Sequence, residues 1–185
     1  LEHVTIHSQP GMGIVGHHSR DLTFLNLRVI PRAGSLMSTN TDATHFTSCS
    51  GLLRFDACQF EGQGDDSANI HNYYYTLKPG ADAASYEIRV DAPTGTHAQV
   101  LDSPNLGDSL ELVERKSLLP VSHYRVLHVE RFPEEWKASI RVDRPLPEPL
   151  DAYLLINVSR LPLVEIRGCQ VRNHRARAFL IKTRQ

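Results

Sequence analysis

The sequence predicts an all-β protein, a parallel β-helix interrupted by a small antiparallel β-barrel. Three observations predict it. Helical periodicity is nearly absent, three segments share one spacing of apolar residues, and a central stretch of alternating strands breaks that spacing.

The shared spacing places apolar residues at Leu22, Phe24, Leu27 and Val29, at Leu53, Phe55, Cys58 and Phe60, and at Val164, Ile166, Cys169 and Val171. Each segment then passes a polar turn and ends in a further short apolar run, at Leu36-Met37, Ala68-Asn69-Ile70 or Phe179-Leu180-Ile181. An earlier coil shows only Val4-Thr5-Ile6 and Ile14-Val15. Two strands, a turn and a third strand per repeat are the pattern of a coil that buries its inward residues against the coils above and below. Equivalent positions then stack about 4.8 Å apart. A β-sandwich of hairpins is the alternative, and the Asn-Gly or Asp-Gly turns it needs between these strands are missing.

Residues 75–160 read differently. Tyr86–Val90, Ser109–Val113, Tyr124–Val129, Ser139–Val142 and Tyr153–Ile156 alternate with period two, separated by turns such as Asp91-Ala92-Pro93 and Asn105-Leu106-Gly107-Asp108. Five strands of this kind make a small antiparallel barrel or sandwich. The coil pattern resumes at Leu163, so residues 1–74 and 161–185 are expected to form the coils and 75–160 an insertion between them.

Composition restricts the function. The chain has 185 residues, 41% hydrophobic and 22% charged, with a net charge of −1. Nothing there favours nucleic acid or an anionic membrane surface, and no apolar run is long enough for a membrane span. The chain opens Leu1-Glu2-His3, without Met or a signal segment, and is expected to be a piece of a longer protein. Three cysteines cannot all pair within the chain. Cys58 and Cys169 lie in matching contexts and read as stacked core thiols, with a disulfide between them as the lesser alternative. No histidine stands near them at zinc-ligand spacing.

The chemistry concentrates in Asn40-Thr41-Asp42 and Gly64-Asp65-Asp66. In the coil alignment Gly64-Asp65-Asp66 falls in the turn before the last strand of its coil, and Asn173-His174-Arg175-Ala176-Arg177 in the same turn of the next. Asp42 is expected just after the last strand of the preceding coil. Carboxyls gathered this way cannot all ionise, so one stays protonated as an acid while another acts as a base. That is the requirement for hydrolysing a glycosidic bond with inversion, where acid and base ordinarily stand about 6.5–9.5 Å apart. Arg175 and Arg177 are candidates to hold sugar hydroxyls. His71 is a candidate sugar contact or turn residue, and His45 a candidate substrate-side residue that also orients Asp42. A calcium cluster is the competing reading of the carboxyls.

Asp42-Ala43-Thr44-His45-Phe46, Cys49-Ser50-Gly51 and the run Phe60-Glu61-Gly62-Gln63-Gly64-Asp65-Asp66-Ser67-Ala68-Asn69-Ile70-His71 resemble glycoside hydrolase family 110, the α-1,3-galactosidases. Asn173-His174-Arg175-Ala176-Arg177-Ala178-Phe179-Leu180-Ile181 resembles that family's coil after the barrel insertion. The resemblance implies a right-handed β-helix and inverting exo-hydrolysis of terminal α-1,3-linked galactose. It implies no metal and no organic cofactor, a galactose-terminated glycan as partner, and a secreted or periplasmic parent protein; association of the chain with its own copies is left open. Carried onto this sequence, Asp65 becomes the general acid, while Asp42 and Asp66 position and deprotonate the water. Asn72 and Ala178 stand where the family pattern leads one to expect glycine. Polygalacturonases carry a similar Asn-Thr-Asp and Asp-Asp arrangement, but their Gly-His-Gly and Arg-Ile-Lys motifs are missing here, so a polyuronide is the second substrate reading. A carbohydrate-binding β-helix without catalysis is the reading outside enzymes.

Overall fold

The computed structural model describes residues 1–91 and 101–183, and the described elements are strands and short 3-10 turns. No helix among them is long and apolar enough to cross a membrane. In chain order come β1 (Thr5–Ile6), β2 (Ile14–His17), β3 (Arg20–Leu25), β4 (Arg28–Val29), β5 (Thr44–Thr47), β6 (Ser50–Asp56), β7 (Gln59–Glu61) and β8 (Ala68–His71). There follow β9 (Tyr74–Pro79), β10 (Ser85–Val90), β11 (Ser109–Glu114), β12 (Pro120–Phe132), β13 (Lys137–Val142) and β14 (Tyr153–Asn157). The last three are β15 (Leu163–Arg167), β16 (Gln170–Arg172) and β17 (Phe179–Ile181). The chain divides into two compact units, one made of Leu1–Asn72 with Arg160–Gln185 and the other of Tyr73–Ser159.

The first unit holds three parallel sheets, ordered β1-β4-β7-β16, β3-β6-β15 and β2-β5-β8-β17. Each successive stretch of chain supplies one strand to each sheet in rotation. The registers align Leu22, Leu53 and Val164, then Phe24, Phe55 and Ile166, then Val29, Phe60 and Val171. The repeated apolar spacing therefore marks side chains that stack between rungs. Phe24 lies 5.2 Å from Phe55 with nearly parallel rings, and Phe46, Phe60 and Phe179 close around Phe55 at 5.9–6.3 Å. Offset and edge-on pairs at this distance each add to the burial energy.

One strand differs from the sequence reading. Leu36-Met37 is not a strand, and Leu36 is 91% exposed. The third strand of that repeat is β5, where Thr44 pairs with Ala68 and Phe46 with Ile70. The reason is polar burial: the Thr44 hydroxyl donates to the Ser67 carbonyl at 3.0 Å, so a threonine-rich run sits inside without an apolar pattern. Asp42 accordingly precedes the third strand instead of following it.

Cys58 and Cys169 occupy the same place before β7 and β16, with the Gln170 N–H donating to the Cys58 carbonyl at 2.9 Å. Both are free thiols, and Cys49 is buried separately. The Cys58 thiol donates to the Phe24 carbonyl at 3.4 Å, and its interaction with the neighbouring Cys169 sulfur pushes Cys58 up and lowers Cys169 to about 7.

The second unit is a closed antiparallel barrel in the order β10-β13-β12-β11-β14-β9. It has six strands, one more than the alternation shows. The added strand is β9, which closes the barrel by pairing Tyr75 with Leu155. Tyr75 is fully buried beside Ile88, Leu110, Leu112 and Ile140, and its hydroxyl donates to Asp102. A tyrosine-rich run followed by Thr76-Leu77-Lys78 hides a strand because the ring packs inside while the hydroxyl needs a polar partner. The expected turn residues Ala92 and Pro93 lie outside the described residues.

Candidate active site

The site is built by stacking. Thr44, Ala68 and Phe179 are register partners in β5, β8 and β17. Two residues before them stand Asp42, Asp66 and Arg177, which therefore hold one position in three successive repeats. The backbone ladder confirms the alignment: the Gly13 N–H donates to the Asp42 carbonyl, Ala43 to Asp66 and Ser67 to Arg177, at 2.9–3.2 Å. Such a stack of two carboxylates and a guanidinium places charge one rung from charge.

Each carboxylate is also tied to the following rung. Asp42 Oδ1 accepts the Asp66 backbone N–H at 3.1 Å, and Asp66 Oδ1 accepts both the backbone N–H and Nε of Arg177 at 2.9 Å. The other Asp42 oxygen, Oδ2, lies 2.6 Å from His45 Nδ1. Asp42 is 3% exposed and Asp66 0%. Three of their four carboxyl oxygens are thus committed to N–H donors. The fourth, Asp66 Oδ2, is buried and has no hydrogen-bond partner among the described residues. A buried carboxylate oxygen left bare is costly, which marks it as the atom with lone pairs to spare.

Asp65, next to Asp66 in sequence, faces out and is exposed. Partial burial, then the charges of Asp42 and Asp66, hold its carboxyl above the ordinary aspartate value, while Arg177 draws it down. One oxygen from each of Asp42, Asp65 and Asp66 lies within 4.8 Å of the others. Two glycines permit this closeness. Gly62 sits at φ +72°, and a Cβ on Gly64 would stand 2.3 Å from the Asn40 carbonyl oxygen.

The three oxygens are near enough to share a cation. Against that, both Asp42 oxygens and one of Asp66 already accept N–H groups, and the Arg177 guanidinium supplies the neutralising charge. The arrangement suits proton chemistry better than a hard cation, whose ligands need free oxygens.

The other sequence candidates fall at different distances from this centre. Arg177 contacts Asp66 with its side chain more than half exposed, and so has donors left for a ligand. Arg175 is exposed, its backbone N–H bound to the Gln63 carbonyl. His45 is buried, with Nδ1 on Asp42 and Nε2 3.1 Å from His71 Nε2. His71 Nδ1 lies 3.1 Å from the Asn72 carbonyl oxygen. The ring nitrogens of both histidines are therefore engaged within the protein. Asn72, found where glycine was expected, accepts from the Ser48 hydroxyl and donates to the Arg160 carbonyl. The His45–His71 contact was not foreseen. Its signal was the register, since Thr47 pairs with His71 and His45 sits two residues earlier on the same face.

No family model matches the chain. Curated relatives do. Over 99% of its length it is 27% identical to alpha-1,3-galactosidase B of Bacteroides thetaiotaomicron, and over 98% it is 29% identical to alpha-1,3-galactosidase A of Shewanella woodyi. Alpha-1,3-galactosidase A of Bacteroides fragilis is 26% identical over 99% of the chain. The chain spans 30% of the length of each of these relatives. Along nearly its whole length, the chain is similar to galactosidase-type glycoside hydrolases.

Proposed function

We propose that the chain carries the catalytic centre of an inverting exo-α-1,3-galactosidase, which removes terminal α-1,3-linked galactose from blood group B-type or linear Gal-α-1,3-Gal glycans. The observation that carries this reading is the stack itself: one exposed carboxyl with a raised affinity for its proton, set over two buried carboxylates. Asp65 gives its proton to the glycosidic oxygen as the C1–O bond breaks. A water attacks C1 from the other side and passes a proton to the Asp42–Asp66 pair, with Asp66 Oδ2 as the oxygen that has no other partner. Arg177 and Arg175 hold sugar hydroxyls at the rim.

The separation of the carboxyls does not carry the inverting outcome. Closest oxygens within 4.8 Å fall short of the usual window of about 6.5–9.5 Å and nearer the about 5–5.5 Å of retaining enzymes. Access supports inversion instead. A retaining enzyme needs a carboxylate oxygen that touches the anomeric carbon, and Asp42 and Asp66 are too buried to meet a sugar ring.

In this reading the three parallel sheets are the faces of a right-handed β-helix, and the barrel of Tyr73–Ser159 is an insertion between its coils. A glycan substrate of this kind places the whole protein outside the cytoplasm, secreted or periplasmic. The reading is tested by proton NMR of Gal-α-1,3-Gal hydrolysis by the intact protein and by its Asp65→Asn variant. First release of β-galactose, lost in the variant, is expected. First release of α-galactose would overturn inversion, and no release from folded protein would overturn the hydrolase.

A further inference from the structure

We propose that Asp42, His45 and His71 share one proton beyond the two that neutral imidazoles carry, and that this proton holds Asp42 in place. The inference deepens the hydrolase reading above and rests on it for its catalytic meaning.

The argument is a count of protons along a chain of contacts. The Asn72 carbonyl can only accept, so His71 Nδ1, 3.1 Å away, carries a hydrogen. His45 Nε2 and His71 Nε2 face each other at 3.1 Å, which is a bond only if one of them carries a hydrogen. His45 Nδ1 meets the Asp42 carboxylate at 2.6 Å, a charge-assisted distance that needs a hydrogen between them. Three contacts need three protons. Two neutral imidazoles and a carboxylate supply two. The third proton lies in the short contact between Asp42 and His45, so the buried site as a whole carries no net charge.

Other protonation states disrupt this geometry. With a fourth proton, two N–H groups point at each other. With only two, either two bare nitrogen lone pairs meet or Asp42 loses its donor. Because Asp42 Oδ1 also binds the Asp66 N–H, a shift of Asp42 moves the next rung as well. Around the pair stand Asp42, then Asp65 and Asp66 in the turn before β8, and His17 at the end of β2, aligned with Thr47. Lys182 follows β17 with its N–H on the Ile70 carbonyl, and Arg160 gives its carbonyl to Asn72. Asp42 is the carboxylate bonded directly to His45. His45 and His71 are thus positioning residues that act through Asp42.

The test is an imidazole nitrogen NMR titration of the intact protein, in the wild type and in His71→Ala, paired with the pH profile of kcat on Gal-α-1,3-Gal. In the wild type the two imidazoles are expected to titrate as one coupled group, in well-separated steps. In His71→Ala, His45 titrates in a single step. The ratio of wild-type to His71→Ala kcat is expected to grow about tenfold from pH 5 to pH 8. His71→Gln, whose amide oxygen can accept from His45 Nε2, should restore most of that loss. Independent, ordinary titration of the two rings, or a kcat ratio constant with pH, overturns the proposal. If the wild type hydrolyses no galactoside the hydrolase reading fails, and the NMR titration still decides whether the proton is shared.

Discussion

Replacing Gly64 with alanine puts the stacking argument under direct strain. Gly64 stands two residues before Asp66, and the atom it would strike belongs to Asn40, two residues before Asp42. An added Cβ would lie 2.3 Å from the Asn40 oxygen and 2.7 Å from its carbonyl carbon. That is roughly 1 Å short of van der Waals contact, and because the obstacle is backbone the two turns must separate by about that much. The Asp66 N–H to Asp42 Oδ1 bond, 3.1 Å long, would stretch to roughly 4 Å and cease to be a hydrogen bond. Overpacking of this kind costs about 1–3 kcal/mol. A displacement near 1 Å at the reacting groups costs on the order of 100-fold in rate. The expected result is a kcat/KM on Gal-α-1,3-Gal reduced about 100-fold, with a urea midpoint lowered but folding still cooperative. A Gly64→Ala protein that keeps more than about a tenth of wild-type kcat/KM, with an unmoved midpoint, would refute the claim that close approach of these two turns assembles the site.

Other consequences are simpler to state. Burial and the charges of Asp42 and Asp66 hold the Asp65 carboxyl above its unfolded value, so its contribution to stability is complete at low pH and is lost as pH rises through the native value. Asp65→Asn should therefore raise the melting temperature at pH 7 and leave it unchanged near pH 3; equal effects at both would contradict this electrostatic account. Phe55 is fully buried among Phe24, Phe46, Phe60 and Phe179, so Phe55→Ala should cost about 3–5 kcal/mol in urea denaturation, and a loss below about 1 kcal/mol would mean the aromatic stack is not a rigid core. Cys169 is partly exposed and lowered to about 7, whereas Cys58 and Cys49 are buried and pushed up. Iodoacetamide at neutral pH should label Cys169 first, as read by peptide mass spectrometry; earlier labelling of Cys49 would show that burial does not govern these thiols.

Where a stacking position is apolar in every repeat, the sequence by itself determined the register. Leu22, Leu53 and Val164 face one interior, and so do Phe24 and Phe55, because burial draws each of them from water; Ile166 shares their register but is exposed on the outer rung. Most barrel strands were legible for a related reason, since one-sided burial writes alternation into the chain. Polar or mixed strands were not legible. Thr44–Thr47 is buried through hydrogen bonds, and Tyr74–Pro79 through a single ring with a polar tip, so neither carries an apolar period. Spacing and resemblance brought Asp42, Asp65 and Asp66 together as candidates. Only the tertiary structure decided that Asp42, Asp66 and Arg177 share one rung position, that Asp65 alone of the three aspartates faces out, and that His45 and His71 turn their nitrogens toward each other. Those outcomes depend on pairing between residues 24 to 111 positions apart, and such contacts exist only once the rungs have closed on one another.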